Sequence, residues 1–288
     1  MTTRRCWLRL LVLALAPVTA CTGGTGSERF HFEARIRGTA STGDAYTFEN
    51  ESGWLVRLDR AQVTLGPVYL NVVPPLRDTS ASIWDLLVKP AWAHGESHLD
   101  SGRVVGEVLA QVSFDALSEQ PVAFPVLGTI TQEQVRTADV WFYPEPRNTS
   151  DGATSADAKT LETVALDIAG QATRGDEVVA FRGELKLDSS WIANQTASTR
   201  GNTSLAAIRQ VRGIPASFFP VEGGFLEITF DVKRLLRGAD FSNLQGNKTD
   251  SEGVKLLTPG KSGDQVMTNL YQGLHEADGT YTVRWRSP

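Results

Sequence analysis

Residues 28–37 read Glu28-Arg29-Phe30-His31-Phe32-Glu33-Ala34-Arg35-Ile36-Arg37. Phe30, Phe32, Ala34 and Ile36 take every second position, and Arg29, His31, Glu33, Arg35 and Arg37 take the others. Successive side chains of an extended chain point to opposite faces, so a period of two marks a half-buried strand with one face in a core and the other in water.

The same period recurs along the chain. Trp54, Val56 and Leu58 alternate with polar groups, and Ala61, Val63 and Leu65 form a second run within 54–65. Residues 46–48 and 68–73 are short strands, the latter bounded by Gly66-Pro67 and Pro74-Pro75. Val104, Gly106, Val108, Ala110, Val112 and Phe114 predict one strand over 102–114. The two prolines of 121–127 suit an edge strand, and 140–143 (VWFY) is strongly β-prone. Residues 163–171 and 178–187 flank Arg174-Gly175-Asp176 as a hairpin would. That tripeptide also spells an adhesion motif, but glycine and aspartate are what a tight turn requires. Residues 225–232 and 280–286 complete about ten alternating runs. Short strands separated by turn signals predict an all-β fold, an antiparallel β-sandwich with a few short helices.

Helical spacing is rarer. Ile83, Trp84, Leu87 and Val88 suggest a short helix ending before Pro90. Residues 131–137 and 233–244 are compatible with helical turns, and Leu205, Ile208 and Val211 with a short helix or an irregular edge. The best helix is 262–274, a C-terminal amphipathic segment: Ser262 and Gln265 have capping-box spacing, and Val266, Met267, Leu270, Tyr271 and Leu274 share one face. Residues 145–159 lack periodicity and read as a polar linker or long loop between β-rich regions 28–144 and 160–288, which together are expected to form one sandwich.

The first residues carry a different message. Arg4 and Arg5 precede an apolar run over 10–18, broken only at Pro17, and Val18-Thr19-Ala20-Cys21 follows. A basic start, a short apolar stretch and a small-residue exit make a secretory signal, too short for a permanent span of about 20 residues. Val18-Thr19-Ala20-Cys21 resembles the lipobox of bacterial lipoproteins. The resemblance implies that residues 1–20 are removed, that Cys21 is acylated, and that 21–27 tether the domain to a membrane of the bacterial cell envelope. The glycine-rich run 22–27 (TGGTGS) suits a flexible tether. Thr22 in place of Asp implies outer-membrane sorting by the same resemblance.

Composition is consistent with that compartment. The chain has two cysteines, Cys6 in the signal and Cys21. The exported domain would therefore have no disulfide, no thiolate metal site and no cysteine nucleophile. Loss of 1–20 removes three arginines and no acid, which takes the net charge of −5 to near −8. An acidic domain without a basic face argues against a nucleic-acid partner.

No G-x-S-x-G, H-E-x-x-H, dinucleotide fingerprint or kinase set occurs, so the chain is read as non-enzymatic. The most chemically suggestive patch is Trp92-Ala93-His94-Gly95-Glu96-Ser97-His98. Two histidines four apart match zincin spacing, but Glu96 is misplaced and Gly95 and Ser97 disfavour the helix that would align the rings. A loop can still bring both imidazoles to copper, zinc or nickel, with His31 and His275 as the remaining histidines and Glu96, Asp100, Met267 and Asp278 as other donors. Trp92-Ala93-His94 resembles the Trp-x-His element of exported copper-binding proteins of the methanobactin-partner type. In that resemblance Trp92, His94 and a distant histidine would form a copper site on a β-rich domain. The expectation is an envelope lipoprotein binding a ligand or a metal ion near Trp92, His94 and His98. The alternative is a structural lipoprotein that docks an envelope protein partner and has no metal site.

Overall fold

The computed structural model describes residues 28–39, 46–72, 103–142, 164–187, 209–257 and 265–288. Cys21, Trp92, His94, His98, Ser262, the helix expected near 83–88 and the 145–159 linker lie outside the described residues.

The strands run β1 (Arg29–Gly38), β2 (Tyr46–Glu49), β3 (Leu55–Leu65), β4 (Val68–Asn71), β5 (Val104–Val108), β6 (Val112–Asp115), β7 (Val122–Ala123), β8 (Gly128–Thr131), β9 (Val135–Trp141), β10 (Val164–Arg174), β11 (Glu177–Lys186), β12 (Gln210–Phe218) and β13 (Phe225–Phe230). Two 3-10 helices, Val232–Leu236 and Phe241–Gly246, come next, followed by β14 (Lys255–Leu256), helix α1 (Gln265–Leu274) and β15 (Tyr281–Arg286). One sheet has nine strands in the order β12-β9-β4-β5-β8-β1-β13-β15, with β7 also on β1. The other has six, β14-β11-β10-β3-β2, with β6 on β3. The fold is the expected β-dominated sandwich with few helices. Both sheets are mixed, since β1 pairs with β13 and β11 with β14 in parallel. A parallel pair needs a long crossover, and most of the chain lies between β1 and β13.

The alternation of 28–37 is the burial pattern of β1: Phe32, Ala34 and Ile36 are buried, while His31 and Glu33 are exposed. The two runs within 54–65 are one strand. Its ladder with β10 slips between Leu58 and Arg60, a β-bulge that resets the alternation so that both Leu58 and Ala61 face inward. The nine-stranded sheet curls until its outer strands meet, and the rings of Phe218 (β12) and Trp285 (β15) stack at 5.8 Å. The facing sheets share one core, in which Phe114 of β6 meets Phe230 of β13 edge-on at 5.8 Å.

Several expectations need correction. The strand expected over 102–114 is two strands, β5 and β6, which belong to different sheets. Their shared pattern conceals the crossing at Leu109–Gln111, and a bulge opposite Leu70 and Asn71 leaves Val104 exposed and Val105 buried. Residues 135–137 begin β9 rather than a helical turn: Val135 and Thr137 are in register with Phe218 and Pro215 of β12, and Thr137 also with Asn71 of β4. Val211 lies in β12, the end strand of its sheet, whose ladder with β9 is irregular, so of the two expectations for it the irregular edge holds. Strand β13 stops at Phe230, and Val232 opens a 3-10 helix whose N-cap Asp231 accepts from the Lys233 amide. Among the described residues helix α1 covers Gln265–Leu274, and Gln265 Oε1 accepts from Asn243 Nδ2 at 2.6 Å. Its face of Val266, Met267, Leu270 and Leu274 is buried as expected, and Gly273 lets it lie directly on Leu235.

Candidate functional site

A groove of about 570 Å³ lies on the outer face of the six-stranded sheet. Strand pleat and one bulge build it. Arg182, Glu184 and Lys186 are alternate outward positions of β11, Asp167 faces outward from β10, and the β3 bulge turns Arg60 to the same side. Leu256 and Leu257 form the apolar wall. The bare Cα of Gly183 lets Leu257 close against the strand, since a Cβ there would collide with the Leu257 side chain.

Every guanidinium of the groove already faces a carboxylate. Arg60 Nη2 donates to Asp167 Oδ1 at 2.8 Å. Arg182 Nη2 lies 2.8 Å from Asp250 Oδ2, with Glu252 at 3.9 Å, and Lys186 Nζ is 3.7 Å from Glu184 Oε2. Asp250 is itself fixed by the loop before β14, where its Oδ1 accepts from the amides of Val254 and Glu252. The Val254 amide, with help from the Glu252 amide and the Arg182 charge, holds the Asp250 carboxyl below the usual carboxylate range. The groove thus sets a basic row, Arg60 and Arg182 on either side of Ala169, beside an acidic one in which Asp167 is in register with Glu184, next to an apolar wall. It can hold a ligand that carries both charge signs, because exposed ion pairs of this kind are worth only about 0–1 kcal/mol and exchange partners cheaply.

A second polar cluster sits on the outward face of β4 and β9. Asp139 is 2 % exposed and accepts from the Gly213 amide at 2.9 Å and from Gln210 Nε2 at 3.5 Å. Asn71 and Thr137 are buried beside it, and neither amide atom of Asn71 has a hydrogen-bond partner among the described residues.

Of the site residues expected from sequence, His31 and His275 are among those described. His31 is exposed on the outer face of β1, in register with Thr129. His275 follows α1, where its Nδ1 lies 2.8 Å from the Tyr271 carbonyl and its ring packs on Tyr271 at 4.3 Å and Phe142 at 5.8 Å. Met267 is a core residue. Among the described residues, no three His, Cys, Asp or Glu side chains converge on a point that would hold a metal ion. The residues that carry the resemblance to copper-binding proteins, Trp92, Ala93 and His94, lie outside the described residues. Sequence reasoning missed Arg60, Asp167, Arg182, Glu184 and Lys186. The alternate charges of 182, 184 and 186 were visible, but the pairing of β11 with β10 and of β10 with β3 was not.

No family model matches this chain, and neither a curated protein nor a solved structure is similar to it.

Proposed function

We propose that this chain is a lipid-anchored protein of the bacterial cell envelope whose β-sandwich binds a ligand without changing it chemically. The anchor follows from Val18-Thr19-Ala20-Cys21 and places the domain outside the cytosol, most naturally on the outer membrane. The observation that carries the binding role is the groove of Arg60, Asp167, Arg182, Glu184 and Lys186 beside Leu256 and Leu257. It sets basic side chains beside acidic ones, so the ligand it suits is dipolar or zwitterionic with an apolar part, as a peptide is.

The test is native-state mass spectrometry of protein purified from its own envelope. A diacylated Cys21 terminus with a retained small ligand is the expected result. An intact Met1 terminus would remove the anchor, and a ligand-free protein that ignores dipeptide probes would remove the groove's role. A copper- or zinc-binding reading rests on the Trp92-Ala93-His94 spacing and is tested by elemental analysis of the same preparation. Co-purification of a stoichiometric envelope protein instead of a small ligand would favour the partner-docking alternative.

A further inference from the structure

We propose that the Phe219-Pro220-Val221 turn is a membrane-contacting tip that seats the domain on the bilayer to which Cys21 is anchored. The inference rests on the lipid-anchor reading and adds an orientation to it. Strand β1 starts at Arg29, paired with Thr131, and the Glu28 carbonyl accepts from the Gln132 amide. The chain thus enters the fold at the turn between β8 and β9. Val135, the first residue of β9, pairs with Phe218, the last of β12, and Phe219 follows directly. The entry point and the 219–221 turn are therefore at one end of the nine-stranded sheet.

That turn presents its apolar groups outward. Phe219 is 54 % exposed and Val221 45 %, while Pro220 between them is buried. The Gly224 amide closes the turn on the Val221 carbonyl at 3.1 Å. A buried proline with a fixed φ holds its two neighbours splayed away from the core. Val104, at the start of β5, is exposed at the same end, beside the Arg103–Glu133 ion pair. Phe219 and Val221 thus stand exposed on either side of Pro220, next to the exposed acid Glu222 of the turn that the Gly224 amide closes.

The tether identifies what covers them. Residues 21–27 are seven, and whatever their conformation they span no more than about 25 Å. A domain held that closely, by that end, presents Phe219 and Val221 to the lipid headgroups. An aromatic and an aliphatic side chain flanked by charges suit the bilayer interface.

Spin labels on the full chain test this. Once 1–20 are gone and Cys21 is acylated, an introduced cysteine is the only free thiol. Val221→Cys places a label at the tip. Asp176→Cys places one in the β10–β11 turn, whose Arg174 reaches Asp240 beyond the far end of β13. Both lipidated proteins are reconstituted into phosphatidylethanolamine–phosphatidylglycerol vesicles. The label at 221 should collide with lipid-soluble oxygen, relative to an aqueous nickel chelate, severalfold more than the label at 176. Equal ratios on protein whose mass shows the acyl chains would overturn the tip and leave the anchor standing. An unacylated mass would overturn both.

Discussion

The Trp54 indole donates from Nε1 to Asp240 Oδ1 at 3.0 Å, joining the entry of β3 to the second 3-10 helix, Phe241–Gly246. The same oxygen accepts from Ser242 Oγ at 2.8 Å and caps the 3-10 helix through the Ser242 amide. Arg174 lies over the Trp54 ring at 4.4 Å and 3.6 Å from the carboxylate. One acid thus ties together the β10–β11 turn, β3 and the helical segment. The Ser242 hydroxyl, then Trp54, the Ser242 amide and Arg174, hold its carboxyl below the ordinary 3.8 against the opposing effect of burial.

A carboxyl depressed by folding contributes stability that is complete above its unfolded value and is lost as pH falls through the folded one. Asp240→Asn keeps a good N-cap but loses the charge. It should cost about 1–2 kcal/mol at neutral pH. The difference from the unchanged protein should shrink as pH falls below about 3.8. Urea unfolding at several pH values checks both points, and a gap that stays constant to low pH would count against the carboxylate.

Gly66 and Gly175 both have positive φ, at 123° and 60°. A side chain at Gly175 meets nothing within 4 Å, whereas one at Gly66 runs into the Ala110 carbonyl. Gly175→Ala should therefore cost about 1 kcal/mol of backbone strain. Gly66→Ala should cost about 3 kcal/mol, strain and overlap together. Denaturant midpoints of the two variants should separate accordingly.

The contrast between these glycines shows what the sequence could and could not convey. Period two gave the strand character of 28–37, and Gly175-Asp176 gave the hairpin turn, because both signals are local. Nothing local distinguishes Ala110, where the chain leaves one sheet for the other, from its neighbours in an alternating run. The break between Leu58 and Ala61 looked like the end of a strand and is a bulge, a difference that only the partner β10 defines. The groove was illegible for the same reason: Arg60, Asp167 and Arg182 come from three strands whose order follows from long-range pairing. Helix α1 was readable from its own apolar face, but its landing on Leu235 was not.

Tyr46 supplies an alkaline counterpart to Asp240. Burial, opposed by the Thr39 hydroxyl and aided by the Asp231 charge, pushes its phenol up to about 12. A raised phenol favours the neutral form in the fold, so stability should be whole below pH 10 and fall between about 10 and about 12. Tyr46→Phe should be less stable at neutral pH through loss of the 2.9 Å contact with Thr39, yet should lose less on alkalinisation. Unfolding curves across that range, with tyrosinate absorbance as the marker, decide it.

Copper or zinc binding makes a residue-specific prediction. Changing both His94 and His98 to Ala should abolish stoichiometric metal in protein loaded with either ion. His31→Ala should retain it, since His31 is exposed on β1, and should change stability by less than about 0.5 kcal/mol. Elemental analysis of the two variants separates a loop site from adventitious imidazole binding.

Arg182 is the best single probe of the groove. It is 45 % exposed, and the carboxylate it faces, Asp250, is held chiefly by backbone amides and only secondarily by the guanidinium. Asp250 keeps the Val254 and Glu252 amides when the guanidinium is gone, so the loop before β14 should hold its shape. Arg182→Ala should therefore melt within a few degrees of the unchanged protein. A ligand that takes one charged hydrogen bond from this guanidinium should bind about tenfold more weakly or worse. Lys186→Ala should weaken the same ligand while leaving Arg182 and its partners in place. Loss of stability without loss of retained ligand in either variant would mean that the row of charges serves the sheet and not a guest.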